Sequence, residues 1–203
     1  MNFLLCIRTP STMNIRILAV NGSARTGSLN QKILERAIEG AQKAGAEVTV
    51  SRLAEFNLPI YDADSEAENG LPQAARELQT LVADHDALLI ATPEYNGGYS
   101  ALLKNAIDWI SRPREGGSSG VPLLSGKVAA LISASPGQLG GLRSQTGMRA
   151  VLDKLGMIVI PDSMALSAAH EAFDAEGKMK DANAEKILQA VGAALYRTAL
   201  RLA

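Results

Sequence analysis

The chain has one cysteine, Cys6. A lone thiol closes no internal disulfide, so the stapled frameworks of small secreted domains are excluded and a reducing cytoplasm is the expected setting. Histidine is nearly as scarce: neither His85 nor His170 has a Cys or His partner at ligand spacing, so no metal site is expected. Long apolar runs are missing. Residues 3–7, 87–91 and 128–132 are each five residues long, far short of the roughly 20 that cross a bilayer. The first is also too short for a signal-peptide core and follows no basic residue, so no membrane is expected as a partner. Neither sign of charge dominates, with 20 Lys and Arg against 21 Asp and Glu. Without a basic excess to neutralise phosphates, nucleic acid is not expected as a partner either.

What is present is an ordinary globular composition: 203 residues, 47% hydrophobic and 20% charged. That length buries a full core in one domain. Residues 1–12 interrupt their short apolar run with Arg8, Pro10 and Ser11, and Met13-Asn14 stands directly before the first convincing strand. Residues 1–12 are therefore expected as a disordered N-terminal extension and 13–203 as a single domain.

The order of elements follows from periodicity. Residues 15–20 form an apolar strand, and residues 29–44 place Leu29, Ile33, Leu34, Ala37, Ile38, Ala41 and Ala44 on one helical stripe stopped by Gly45. Residues 48–53 alternate like a partly exposed strand, and 58–70 read as a long loop. Pro72 suits the first turn of a helix carrying Leu78, Leu81 and Val82. Residues 87–91 and 128–132 are wholly apolar, as in parallel strands buried on both faces. Helices are expected at 100–111, from loop three to about 155, and from about 182 to 202, with a fifth strand at 157–160. Alternating strands and helices mean an α/β fold: a five-stranded parallel sheet, helices on both faces, right-handed crossovers. In the order 2-1-3-4-5, the loops after strands one, three and four converge on one crevice at the switch point.

Those three loops are polar and glycine-rich. The first, Gly22-Ser23-Ala24-Arg25-Thr26-Gly27-Ser28-Leu29-Asn30, runs from a strand into a helix start. Free first-turn N–H groups, the positive end of the macrodipole, serine hydroxyls and one guanidinium there suit a phosphate. The glycine spacing is not that of a dinucleotide fingerprint. Gly126-Lys127 is followed by Val128, so it is no Walker loop. The second loop, Thr92-Pro93-Glu94-Tyr95-Asn96-Gly97-Gly98-Tyr99, offers amide groups beside aromatic surface. The third, Ser133-Ala134-Ser135-Pro136-Gly137-Gln138-Leu139-Gly140-Gly141, is short on side chains, so a flat ring could lie against its backbone. A terminal phosphate at one end and a planar heterocycle at the other describe flavin mononucleotide (FMN).

The first loop, the Pro93-Glu94-Tyr95-Asn96 segment and Leu103-Lys104-Asn105-Ala106-Ile107-Asp108-Trp109 together resemble the NADPH-dependent FMN reductase family of quinone, chromate and azo reductases. The resemblance runs from about residue 14 to the C-terminus and implies a flavodoxin-like three-layer sandwich forming a single FMN-binding domain. It implies FMN phosphate at Ser23, Arg25, Ser28, Leu29 and Asn30, and ring contacts at Pro93, Glu94, Tyr95, Asn96 and Gly97. It also brings Ser133, Ser135, Gly137, Gly140 and Gly141 of loop three to the ring. Dimers or tetramers are implied too. The expected reaction is two-electron hydride transfer from NAD(P)H, via FMN, to a quinone, azo, chromate-type or flavin acceptor. The flavin carries that chemistry, so no catalytic side chain is assigned. The alternative is a flavodoxin-type one-electron carrier. A near-zero net charge and 4% aromatics weigh against the acidic face and stacked rings that a carrier uses.

Other residues have plainer expectations. Trp109 sits on the apolar stripe of its helix as a packing residue, with a subunit interface as the alternative. His85, between Asp84 and Asp86, reads as a surface residue. Arg112 and Arg114 read as solvated loop residues, with a nicotinamide-nucleotide phosphate as the alternative. Glu94 reads as a loop brace or solvated carboxylate as readily as a base. Tyr95 reads as a ring or substrate contact, and Tyr99 as a contact or a core cap.

Overall fold

The computed structural model describes residues 14–114 and 119–203; the extension expected at 1–12 lies outside the described residues. The strands β1 (Arg16–Asn21), β2 (Glu47–Arg52), β3 (Ala87–Ala91), β4 (Val128–Ala134) and β5 (Ile158–Val159) lie parallel in the order β2-β1-β3-β4-β5. Every residue of β3 and β4 is buried, which is why both read as unbroken apolar runs. Edge strand β2 is only partly covered and does not alternate cleanly: Ser51 is buried while Val50 is exposed.

Helices α1 (Leu29–Ala44) and α6 (Ala182–Leu202) cover one face; α3 (Gln73–Ala83), α4 (Ala101–Ile110) and α5 (Leu142–Lys154) cover the other. Alternation along β1 feeds both layers: Ile15, Ile17 and Ala19 pack under α1 and α6, while Leu18 and Val20 face the opposite core. The α1–α6 crossing is close because Gly40 and Gly192 meet the facing backbone. A Cβ at either would lie 1.9 Å from a carbonyl oxygen, of Gln189 or of Ala37.

Two expectations are corrected. The fifth strand is split: β5 pairs with Val128 and Ala129, and a further strand, β6 (Met164–Leu166), pairs with Ile132 to Ala134, so the sheet has six strands. Pro161 has no N–H for the ladder and stands at the break. The Arg149 guanidinium satisfies the carbonyls there, donating to Val159 at 2.7 Å and Ile160 at 2.8 Å. The stretch expected as a long loop holds the short helix α2 (Ala63–Asn69), N-capped by Asp62, which accepts from Ser65 N–H at 2.7 Å. It buries no side chain, so no apolar stripe announced it. Its signal was the cap and the acidic first turn.

Candidate functional site: a crevice at the carboxyl ends of the strands

Loop one leaves β1 under tight constraint. Gly22 N–H donates to Ala91 and its carbonyl accepts from Ser100 Oγ at 2.6 Å, while a Cβ would meet Leu103, Pro93 and Ser100 at 3.2 Å. Asn21 Oδ1 accepts from Ser23 N–H, and Ser23 Oγ accepts from Arg25 N–H, curling the loop back on itself. Ser28 caps α1, accepting from Gln31 N–H. The first-turn N–H groups of Leu29 and Asn30 have no intrahelical acceptor, as at any helix start. The Asn30 side chain is occupied elsewhere: its amide exchanges hydrogen bonds with the Ala134 backbone at 2.9 and 3.0 Å. It therefore ties loop three to α1.

Loop two closes as a two-residue hairpin. Tyr95 and Gly98 exchange backbone bonds at 2.9 and 3.0 Å, with Asn96 and Gly97 both at positive φ. Asn-Gly is the favoured pair for that turn. Tyr95 leads into the turn and is 53% exposed. Tyr99 is half-buried, packed on the α3–α4–α5 core with its ring against Gly147.

Loop three is held from behind. Ser133 Oγ donates to the Gly140 carbonyl at 2.7 Å and accepts from Gln145 Nε2 at 2.7 Å, so Ser133 is fully buried. Gly140 and Gly141 take positive φ, and a Cβ on Gly140 would collide with the Ala165 backbone at 2.6 Å. Ser135 Oγ accepts from Gly137 N–H.

A crevice opens between the loops, lined by Ser23, Arg25, Ser28, Leu29 and Asn30 on one side and Pro93, Glu94 and Tyr95 on another, with Ala134, Ser135 and Pro136 along loop three. It encloses about 100 Å³, less than the cavity of about 340 Å³ beside Lys127 at the opposite end of the sheet. Chemistry and not size singles it out. Of the residues named from sequence, Asn96, Gly97, Ser133, Gly137, Gly140 and Gly141 do not line it: they shape the loops that do.

Sequence reasoning missed Arg143, at the start of α5. Its guanidinium pairs with Glu94, Nε donating to Oε1 at 2.7 Å with Nη2 on the same oxygen, while Arg143 N–H donates to Oε2. Hydrogen bonds from Arg143 hold the Glu94 carboxyl below its ordinary range. Glu94 and Arg143 stand 49 positions apart, and no local pattern links them.

Arg112 is not a solvated loop residue. It donates to Glu66 at 2.9 and 3.0 Å and lies over the Tyr61 ring. Glu66 raises the already high pKa of this guanidinium. Arg114 is exposed. Trp109 packs within its own chain, its ring edge-on to Tyr61 and its Nε1 donating to Pro59 at 2.7 Å. His85 is buried, not at the surface, with Nδ1 2.6 Å from the Leu81 carbonyl oxygen, because the α3–β3 turn folds it under the helix end. Among the described residues no group of three or more His, Cys, Asp or Glu side chains could hold a metal ion, and no helix is long and apolar enough to cross a membrane.

The profile of the NADPH-dependent FMN reductases matches residues 15–171. An NAD(P)H-dependent FMN reductase of Pseudomonas aeruginosa is 38% identical over 178 residues, 87% of this chain and 90% of that protein. The chain belongs to the NADPH-dependent FMN reductase family. An NADPH:quinone oxidoreductase of Arabidopsis thaliana is 33% identical over 193 residues, 93% of each protein. Among solved structures, a flavoenzyme NAD(P)H:(acceptor) oxidoreductase of Paracoccus denitrificans superposes with a TM-score of 0.75 at 30% identity, covering 92% of this chain and 98% of that one. This member of the FMN reductase family is thus an FMN-dependent NAD(P)H oxidoreductase of flavodoxin-like fold, and the carrier alternative is not favoured.

Proposed function

We propose that the crevice seats FMN with its phosphate at Ser23, Arg25, Ser28 and the first-turn N–H groups of Leu29 and Asn30. Its ring lies between loop two, from Pro93 to Gly97, and loop three, from Ser133 to Gly141. The observation that carries this reading is one crevice with a capped helix start, hydroxyls and a guanidinium at one end and backbone-lined loops at the other. Bound FMN supplies the two-electron redox chemistry. The chain's own part is to hold the phosphate, keep one ring face open and exclude water from the other. Backbone N–H groups of loop three supply dipoles where charge grows, by oxyanion-hole logic. No side chain acts as acid, base or nucleophile.

The acceptor we propose is quinone-like. Support comes from the naming of the Arabidopsis relative and from the exposed apolar side chains of Tyr95, Leu139 and Leu142 on loops two and three and the start of α5. Azo dyes, chromate and free flavin are further members of the same panel. We also propose residues 13–203 as one FMN-binding domain working as a homodimer or homotetramer in the cytoplasm, without nucleic-acid or membrane partners. The single cysteine and near-neutral charge support the compartment and the partner range.

The test is direct. Purified protein should be yellow or take up FMN, and without oxygen should oxidise more than one equivalent of NADH or NADPH only when an acceptor is added. Arg25→Ala should weaken FMN binding about tenfold or more, from loss of a charged hydrogen bond, and leave riboflavin binding unchanged. Colourless protein that refuses FMN at high concentration overturns the reading.

A further inference from the structure

We propose that Glu94 and Arg143 form a clasp that sets the spacing of loops two and three, and so the width of the ring-binding part of the crevice, without touching its phosphate end. The inference rests on the seating of FMN given above. Glu94 is a loop carboxylate whose side chain is only 8% exposed, whereas its Arg143 partner is 60% exposed. A buried carboxylate is costly unless paired and hydrogen-bonded. Here both its oxygens are engaged by Arg143, at the start of α5 directly after loop three, through its backbone N–H and its guanidinium. A planar guanidinium fork fixes direction as well as distance, which a lysine would not.

The clasp lies against the turn of loop two. A Cβ on Gly97 would lie 3.8 Å from Arg143 Cζ, so the guanidinium runs beneath the Asn96–Gly97 turn that carries Tyr95. Beside it on α5, Ser144 Oγ donates to the Thr92 carbonyl at 3.2 Å. The phosphate end is braced independently, by Asn21, Ser23 and the Ser28 cap, and Asn30 anchors it to Ala134 rather than to the pair. Glu94 and Arg143 are thus positioning residues, acting on whatever planar ring occupies the gap.

The experiment titrates stripped, full-length protein with FMN and with riboflavin, which shares the ring but lacks the phosphate. Glu94→Gln, Arg143→Ala, Arg143→Lys and the Glu94→Gln/Arg143→Ala double variant are compared with the parent, and thermal unfolding of each apoprotein checks folding. Each of Glu94→Gln and Arg143→Ala should lose about tenfold in affinity, or 1.4 kcal/mol, for both flavins, leaving their ratio unchanged. Arg143→Lys should fall between parent and Arg143→Ala, and the double variant should be no worse than the single ones. Should Arg143→Ala fail to fold, the near-isosteric Glu94→Gln and Arg143→Lys carry the test. Affinities within twofold of the parent, losses that multiply in the double variant, or a loss confined to FMN each overturn the clasp while leaving the FMN assignment standing. A parent that refuses both flavins overturns both.

Discussion

Glu94 shows how one side chain acquires its role from its partner. The Arg143 hydrogen bonds lower its pKa in the folded chain below the ordinary value of about 4.3. A carboxyl with a lowered folded-state pKa contributes stability that is fully present above its unfolded value and is lost as pH falls through the folded one. Thermal unfolding of the FMN-free parent should therefore exceed that of Glu94→Gln at pH 7, with the gap closing as pH falls below about 4. A gap that stays constant down to acid pH would mean that the ion pair contributes nothing. Asn30 makes the complementary point. Its place at the end of loop one was legible in the sequence, but its amide faces Ala134, 104 positions away, and that partner was not.

Among the elements, α1 and α6 depend on two glycines that a propensity argument alone would count as flaws. In an exposed helix interior Gly→Ala gains roughly 1 kcal/mol. At Gly40 or Gly192 the added methyl would stand 1.9 Å from facing backbone, so the helices must separate. Gly40→Ala and Gly192→Ala should each lower stability by about 1–3 kcal/mol, as overpacking does, read by denaturant titration. A rise in stability would show that the crossing is looser than described. The boundaries of α1 were legible because its stripe, its serine cap and its glycine stop all lie within the segment. Helix α2 was missed for want of a stripe, and the split of the fifth strand for want of any local sign of how Arg149 would serve its carbonyls.

The sheet order brings the three loops to a common crevice. With β1 between β2 and β3, successive connections leave in opposite directions, and the loops after β1, β3 and β4 meet at the reversal. Were that crevice to take both the nicotinamide and the acceptor, each would bind after the other had left. Initial rates across both substrates should give parallel double-reciprocal lines. Intersecting lines would require two separate binding places and count against the shared crevice.

The main strands and helices, their order and the polar, glycine-rich character of the three loops could be read before any fold was seen. Periodicity, caps and glycine placement are local properties, and a parallel sheet with right-handed crossovers leaves few ways to arrange them. The pairings Glu94 with Arg143 and Asn30 with Ala134, the burial of His85 and the capture of Arg112 by Glu66 emerged with the folded chain. Each joins segments distant in sequence or depends on how deeply a turn is packed, and hydrogen bonds and ion pairs form only between groups brought within a few ångströms.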